Sequence, residues 1–245
     1  MTSTPLVLVL EDDAAARQFV AMALESLPVQ VLQAASLAQA RVLLQQHSVA
    51  LLLTDMTLKD GHATALVEDL VSWPAARVPK VVVLSGGIYA DTRQRLTLLG
   101  VQHFLHKPAS LTEIEDTVAR LLQLTPATAE LDASQAPAGL APHEWAAVQT
   151  YFDGDVAFYQ TYQAMSLAQF ELDLQAGEDA CAQSDAQTLR RTAHSMKSVL
   201  RTLGHEALSD MAKQSEDAAH LSPWPQAVLS WQALRQAVQA QLLAK

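Results

Sequence analysis

Four segments of the chain end an apolar run with side chains suited to phosphate and metal chemistry. They are Glu11-Asp12-Asp13, Asp55, Ser85-Gly86-Gly87 and His106-Lys107-Pro108. The carboxyl ends of parallel strands meet at one edge of a sheet, so we expect these groups to share one crevice. That crevice would hold several carboxylates, a hydroxyl and an amine.

The carboxylates of this crevice would need a cation, because like charges repel one another when they are brought together. Hard oxygen ligands favour Mg²⁺. An oxygen of Asp55 could attack phosphorus to form an acyl phosphate, while Lys107 and the Ser85 hydroxyl would offset the charge of the transferring group. Each signal alone has a simpler explanation, since Asp13 could merely cap a helix. Four such strand ends in this order are hard to attribute to chance.

A second candidate nucleophile, His194, lies in a segment with the period of an amphipathic helix. The apolar face and a separate basic stripe of that helix are Leu189, Ala193, Met196, Leu200 and Leu203, and Arg190, His194, Lys197 and Arg201. A neutral imidazole can attack phosphorus, and the flanking cations would offset phosphoryl charge. Ser198, one turn later, is small enough to leave room for approach. From this helix alone, an ordinary surface histidine remains the simpler interpretation.

The first 124 residues alternate short apolar runs with longer amphipathic stretches, which indicates βαβ units around a parallel sheet. Predicted strands cover 6–10, 29–33, 49–54, 80–84 and 101–105. Predicted helices cover 14–26, 37–46, 62–72, 89–99 and 111–124. The strands are nearly continuous apolar runs, as expected when both faces of a sheet are covered. We predict an α/β domain with a five-stranded, doubly wound parallel (βα)5 sheet.

Residues 125–142 are rich in Pro, Ala and small polar residues and have no sustained period, which is typical of a flexible linker. After residue 142 the sequence has no pattern typical of a β-strand. Predicted helices cover 143–152, 156–177, 185–203, 206–220 and 226–243, with Gly177 among the residues that separate them. The chain is therefore α/β plus all-α, with an α/β domain over 5–124, a linker over 125–142 and a helical bundle over 143–245.

Composition excludes several classes of protein. The 245 residues are 50% hydrophobic and carry a formal charge of −10, which argues against global disorder and against nonspecific nucleic-acid binding. One cysteine permits neither an intrachain disulfide nor a cysteine-based zinc site. No apolar run is long enough to insert into a membrane, and the start of the chain lacks a basic signal region, so we expect a cytoplasmic protein.

The first half resembles a response-regulator receiver domain over about residues 5–124. The matching segments are Leu8-Val9-Leu10-Glu11-Asp12, Leu53-Thr54-Asp55-Met56 with Asp60-Gly61, Val83-Leu84-Ser85-Gly86 and Phe104-Leu105-His106-Lys107-Pro108. The resemblance implies Asp55 as phosphoacceptor, Mg²⁺ as cofactor and Glu11, Asp12 and Asp55 as its ligands. It also implies phosphate contacts from Ser85 and Lys107 and a rotamer switch at Phe104. The sequence departs from the family at Lys59, where Pro is usual.

The second half resembles a histidine phosphotransfer (HPt) domain, a four-helix bundle, over roughly residues 143–245. His194-Ser195-Met196-Lys197, followed by Leu203-Gly204, matches the family's His-x-x-Lys-Gly segment and its Leu-Gly end, with Ser198 in place of Gly. The resemblance implies His194 as a second phosphoacceptor, supported by Lys197, Arg190, Arg201 and Ser198.

These resemblances predict a two-component phosphorelay protein without kinase activity, because the chain has no recognisable ATP-binding motif. Asp55 would accept a phosphoryl group from a phosphohistidine, and His194 would exchange one with a receiver aspartate. The partners would be a sensor histidine kinase, other receivers or both. One alternative is a binding module whose helical half docks on a kinase or target without carrying phosphate. Another is a Mg²⁺-dependent phosphatase.

Overall fold

The computed structural model describes residues 4–87, 90–101, 103–124 and 139–244. The chain divides into two compact units, Met1–Glu130 and Leu131–Lys245. Most of the predicted linker, residues 125–138, lies outside the described residues. The predicted domain limits at residues 124 and 143 therefore remain predictions.

A five-stranded parallel sheet forms the centre of the first unit. Its strands are β1 Leu6–Leu10, β2 Gln30–Ala34, β3 Leu51–Asp55, β6 Lys80–Ser85 and β7 His103–His106, in the order β2-β1-β3-β6-β7. A two-stranded hairpin, β4 Thr57–Leu58 and β5 Gly61–His62, follows β3. The central strands β1 and β3 are neighbours, with Leu10 paired to Thr54, so their carboxyl ends open into the same crevice.

Helices cover both faces of this sheet, as its apolar strands require. They are α1 Ala14–Ala23, α2 Leu37–Gln46, α3 Ala63–Val71, α4 Ala90–Leu98 and α5 Leu111–Leu122. Helix α1 packs on α5 and α2 packs on α3, and a cluster of buried side chains that includes Leu8, Leu52 and Leu66 joins the sheet to the second pair. The predicted doubly wound (βα)5 architecture is confirmed.

The second unit is helical throughout its described residues. Its helices are α6 Pro142–Tyr151, α7 Val156–Gln183, α8 Ala186–Thr202, α9 Glu206–Leu221 and α10 Trp224–Val238, the last followed by a π-helical turn over Gln239–Leu243. Helix α7 packs on α8, α8 on α9, α9 on α10 and α10 on α7, which closes a four-helix bundle. Within the described residues, no helix combines the length and apolar character needed to cross a membrane.

Gly177 does not end a helix, so the predicted boundary at this residue is wrong. Helix α7 continues to Gln183 and ends at Ser184, whose φ is +56°. The reason is packing: a Cβ on Gly177 would lie 1.8 Å from Cζ2 of the buried Trp231. The glycine makes space for a large side chain on α10, which no property of α7 alone indicates.

Candidate functional site

Three of the four strand ends singled out in the sequence bring a carboxylate cluster and an amine into one crevice. Glu11 and Asp12 follow β1 and Asp55 ends β3, and one oxygen from each lies within 4.8 Å of the others. The Lys107 amine, just after β7, lies 3.1 Å from Oδ2 of Asp55 and also contacts Oε2 of Glu11. Glu11, Asp12 and Asp55 are all buried, and the Lys107 side chain is 11% exposed.

Asp13 has a structural role instead of a place in this cluster. It is the N-cap of α1, and its Oδ1 accepts a hydrogen bond from the Ala16 N–H at 2.8 Å. Its own N–H donates to Oε1 of Glu11 at 3.3 Å, while the Arg17 side chain donates to the Glu11 carbonyl at 2.7 Å. The turn after β1 therefore directs Glu11 and Asp12 towards Asp55.

The cluster has more negative charge than the protein compensates. Burial, followed by the charges of Asp55 and Asp13, raises the pKa of Glu11 to about 8 although Lys107 acts in the opposite direction. Burial and the Asp55 charge also raise the pKa of Asp12. Burial would lower the pKa of Lys107, but Asp55 and Glu11 outweigh it and hold that pKa above its usual value. One lysine does not neutralise three carboxylates, so the cluster can bind a cation as well.

Ser85 and Phe104 lie beside the crevice but make contacts of their own. The buried Ser85 hydroxyl, at the end of β6, donates to the Gly87 carbonyl at 2.9 Å and accepts from the Gly87 N–H at 3.2 Å. The half-buried Phe104 ring on β7 packs against the cluster that contains Val83 and Leu96, and the Arg93 guanidinium stacks 4.4 Å from its centre. A phosphate contact from Ser85 would require its hydroxyl to rotate.

His194 lies in the middle of α8 and is half-buried, with 28% of its side chain exposed. Its Nδ1 is 2.8 Å from Oε1 of Glu216 on α9. Lys197, one turn along α8, places its amine 2.6 Å from Oε2 of the same carboxylate and 3.3 Å from Nδ1 of His194. The imidazole is thus held between a cation and an anion, not merely surrounded by cations as the sequence predicted.

The contact with Glu216 selects the tautomer of the imidazole. An ionised carboxylate has no hydrogen to donate, so Nδ1 of His194 carries the proton and donates it to Oε1. A protonated Nδ1 has no lone pair to accept from Lys197, so the approach of the lysine amine at 3.3 Å is not a hydrogen bond. The lysine donates instead to Oε2 of Glu216. The lone pair that can attack phosphorus is left on Nε2.

Glu216 is a member of the His194 cluster that the sequence reasoning missed. Burial alone would raise its pKa, but hydrogen bonds and charge from His194 and Lys197 lower the pKa to about 2. A signal was available: Glu216 and His194 lie at equal sequence separations on either side of His205, in the turn between α8 and α9. Residues equally far from the turn of an antiparallel helix pair face each other.

The remaining predicted residues of this helix surround His194 less closely. Arg190 and Arg201 are exposed, and Ser198 is half-buried one turn after His194. The predicted apolar face is confirmed, because Leu189, Ala193, Met196, Leu200 and Leu203 are all completely buried. The basic stripe therefore lies at the surface, with Lys197 as the member that touches the imidazole.

Comparison with known families decides what these two sites belong to. Residues 7–119 match the response regulator receiver domain, and residues 162–241 match the Hpt domain. The chain joins a receiver domain to an Hpt domain. It belongs to the two-component phosphorelay proteins, and the alternative of a binding module that carries no phosphate is not favoured. Both domains are signalling modules, and neither is a kinase domain.

Two solved structures are similar to the first half of this chain in fold. A response regulator receiver protein from Pseudomonas putida is 26% identical, covering 49% of this chain and 99% of its own, with a TM-score of 0.46. A CheY-like receiver domain protein from Methanospirillum hungatei JF-1 is 20% identical, covering 49% of this chain and 95% of its own, with a TM-score of 0.45. No curated protein matches the chain.

Proposed function

We propose that Asp55 and His194 are the two phosphoacceptors of this phosphorelay protein. The observation that carries the proposal is the pair of charged clusters: Asp55 is paired with Lys107 at 3.1 Å, and His194 is oriented by Glu216 at 2.8 Å. Each nucleophile therefore has a residue that positions it and a cation nearby.

The receiver step would transfer phosphorus from nitrogen to oxygen. A carboxylate oxygen of Asp55 forms a P–O bond as the P–N bond of a partner's phosphohistidine, protonated on its other ring nitrogen, breaks. The electron pair returns to the released ring nitrogen and leaves a neutral imidazole. Lys107 is placed to balance charge on the transferring group through its contact with Asp55. The supply partner is therefore a histidine-phosphorylated protein such as a sensor kinase.

Glu11, Asp12 and Asp55 are the residues that would hold Mg²⁺. The donor set fits, because it consists of oxygens only, lies within 4.8 Å and has too little positive charge of its own. A bound Mg²⁺ ion would supply positive charge next to the phosphoryl oxygens. The chain's own groups provide the nucleophile, the lysine and the fixed turn after β1.

The Hpt step would transfer phosphorus from oxygen to nitrogen. The Nε2 lone pair of His194 forms a P–N bond as the acyl P–O bond of a receiver aspartyl phosphate breaks, and the electron pair returns to that carboxylate. Phosphorylated Nε2 leaves a positive charge on the ring, which the hydrogen bond from Nδ1 to Glu216 stabilises. The receiver that exchanges with His194 is either the one in this chain or that of another protein.

The stability of the bound phosphate distinguishes the two acceptors. We would incubate the full chain with acetyl phosphate and Mg²⁺, and separately with a phosphorylated receiver domain. Asp55→Asn should remove the base-labile acyl phosphate, and His194→Gln should remove the acid-labile phosphoramidate. Asp69→Asn, which changes an exposed carboxylate on α3 paired with Arg41, is the matched control and should retain both. Unchanged labelling of Asp55→Asn or of His194→Gln would refute that residue's assignment.

A further inference from the structure

A second group of ligand-type side chains lies where α6 meets the turn between α8 and α9. Gly204 in that turn has φ of +87°, and a Cβ there would lie 2.5 Å from the carbonyl oxygen of His143. Only glycine permits so close an approach of the two backbones. The approach brings His143, the second residue of α6, next to His205, the N-cap of α9.

The two imidazoles and a neighbouring carboxylate converge. Ligand atoms of His143, Glu144 and His205 all lie within 4.8 Å of one another. The two ring centres are 4.9 Å apart, with the ring planes inclined at 56°. Two imidazoles that share one tetrahedral zinc ion have centres about 5 Å apart, given a metal–nitrogen distance of about 2.0 Å. The rings are thus spaced as a metal would require.

Hydrogen bonds hold the third group, the carboxylate of Glu144, in place. The Ala141 N–H donates to its Oε2 at 2.8 Å, and the Gln163 amide donates to its Oε1 at 2.8 Å. Contacts of this kind orient a carboxylate that serves as a metal ligand.

We propose that His143, Glu144 and His205 bind a divalent transition-metal ion of the zinc type. Two imidazoles and one carboxylate are a donor set that suits Zn²⁺, whereas Mg²⁺ prefers oxygen ligands alone. Three protein ligands leave one tetrahedral position for water or a further ligand. Both imidazoles line an open cleft of about 670 Å³, which gives an ion and its fourth ligand access from solvent.

The position of this site indicates what a bound ion would do. Helix α6 lies outside the segment that matches the Hpt domain, which begins at residue 162 within α7. The site would therefore connect an additional helix to the turn that ends the helix of His194. Because an ion bound only by the folded state stabilises that state, zinc should raise the unfolding temperature of this unit.

Calorimetric titration of the full chain with zinc chloride, in excess Mg²⁺ to occupy the receiver carboxylates, tests the proposal. We expect His143→Gln and His205→Gln each to lower the affinity of one zinc equivalent by at least about tenfold. His220→Gln changes an exposed histidine of α9 outside the cluster and should retain that equivalent. Replacing zinc by Co²⁺ should give the visible absorption of a four-coordinate ion in the unchanged chain and in His220→Gln, but not in His143→Gln or His205→Gln.

Equal zinc affinity in the unchanged chain and in all three variants would overturn the proposal. Circular dichroism establishes that each variant is folded before it is titrated. If His205→Gln does not fold, His143→Gln decides the question, because His143 is exposed and its substitution leaves the bundle core intact. Loss of zinc binding in His220→Gln alone would also overturn the proposal, since the ion would then lie elsewhere.

Discussion

Two glutamates show how differently the two phosphotransfer sites are charged. In the receiver domain, burial and neighbouring carboxylates raise the pKa of Glu11 to about 8. In the Hpt domain, Glu216 is also largely buried, yet hydrogen bonds and charge from His194 and Lys197 lower its pKa to about 2. The first site has too many anions for its one lysine, and the second is balanced.

The difference follows from what each nucleophile needs. An aspartate can accept a phosphoryl group only where added positive charge offsets both the carboxylates and the incoming oxygens, so the receiver site is incomplete without a cation. A neutral imidazole adds no negative charge of its own, so it needs mainly the correct tautomer and one nearby cation. Accordingly, the receiver site draws on three strand ends, whereas the Hpt site needs two adjacent helices.

The largest expected effect comes from removing the lysine of the anion-rich site. Lys107→Met should lower the rate of Asp55 phosphorylation by acetyl phosphate by about a hundredfold, on the order of one lost charged contact in the transition state. It should also destabilise the metal-free protein by about 3 kcal/mol, since it leaves buried carboxylates unpaired.

Lys197→Met is the matched substitution in the balanced site. The Lys197 side chain is more exposed than that of Lys107, and Glu216 still holds His194, so the loss of stability should be smaller. Urea unfolding in EDTA measures both variants. Equal losses of stability would contradict the proposed difference in charge between the sites.

The second expected effect is a release of protons when Mg²⁺ binds. Between the usual pKa of Glu11, 4.5, and its folded value of about 8, the folded metal-free protein holds a proton that the unfolded chain has lost. This group therefore lowers stability as pH rises through that window, and Mg²⁺ binding at pH 7 should expel the proton. Calorimetric titration in two buffers with different ionisation enthalpies counts the protons.

Glu11→Gln provides the control for this measurement. The amide cannot titrate, so the proton release should disappear, whereas Asp69→Asn, which changes an exposed carboxylate on α3, should leave it unchanged. Binding of Mg²⁺ without any proton release at pH 7 would show that Glu11 is already ionised, and the contrast with Glu216 would then be lost.

Substitution of Glu216 should have an effect of about tenfold. Glu216→Gln preserves the shape but removes the charge that fixes the proton on Nδ1 of His194, so the rate of His194 phosphorylation should fall by about that factor. The rate of transfer from a phosphorylated receiver measures this. Asp217→Asn changes the adjacent exposed carboxylate and should leave the rate unchanged. An equal fall in both variants would indicate a general effect of charge.

The smallest expected effect is that of Ser198→Gly. Removing the side chain one turn after His194 should speed phosphoryl transfer by about threefold or less and destabilise α8 by about 0.5–1 kcal/mol, because glycine lowers helix stability. Transfer rates and urea unfolding measure the two changes. A rate that falls would show that the serine hydroxyl assists transfer instead of obstructing it.

The strands and helices were predictable because each has its own pattern of residues in the sequence. The five predicted strands and ten predicted helices all occur, with boundaries shifted by a few residues, since apolar periodicity and caps such as Asp13 act locally. Gly177 is the exception. Gly177 makes space for Trp231, far along the chain, and the local rule that glycine ends a helix did not apply.

The receiver site was predictable to the same degree. Parallel strands in a known order place their carboxyl ends together, so Asp55, Lys107 and the acidic turn could be grouped without coordinates. What the sequence could not decide was the role of each member of Glu11-Asp12-Asp13. Hydrogen bonding in the folded turn assigns Asp13 to the cap of α1 and leaves Glu11 and Asp12 to face Asp55.

The sequence by itself determined the two folds, the two candidate nucleophiles and the basic character of the helix that carries His194. Only the tertiary structure decided their electrostatic surroundings: Glu216 on His194, the excess charge around Asp55, and the meeting of His143 with His205. The physical reason is that a nucleophile and its helix follow from local pattern, whereas burial and charge pairing depend on distances between residues remote in the sequence.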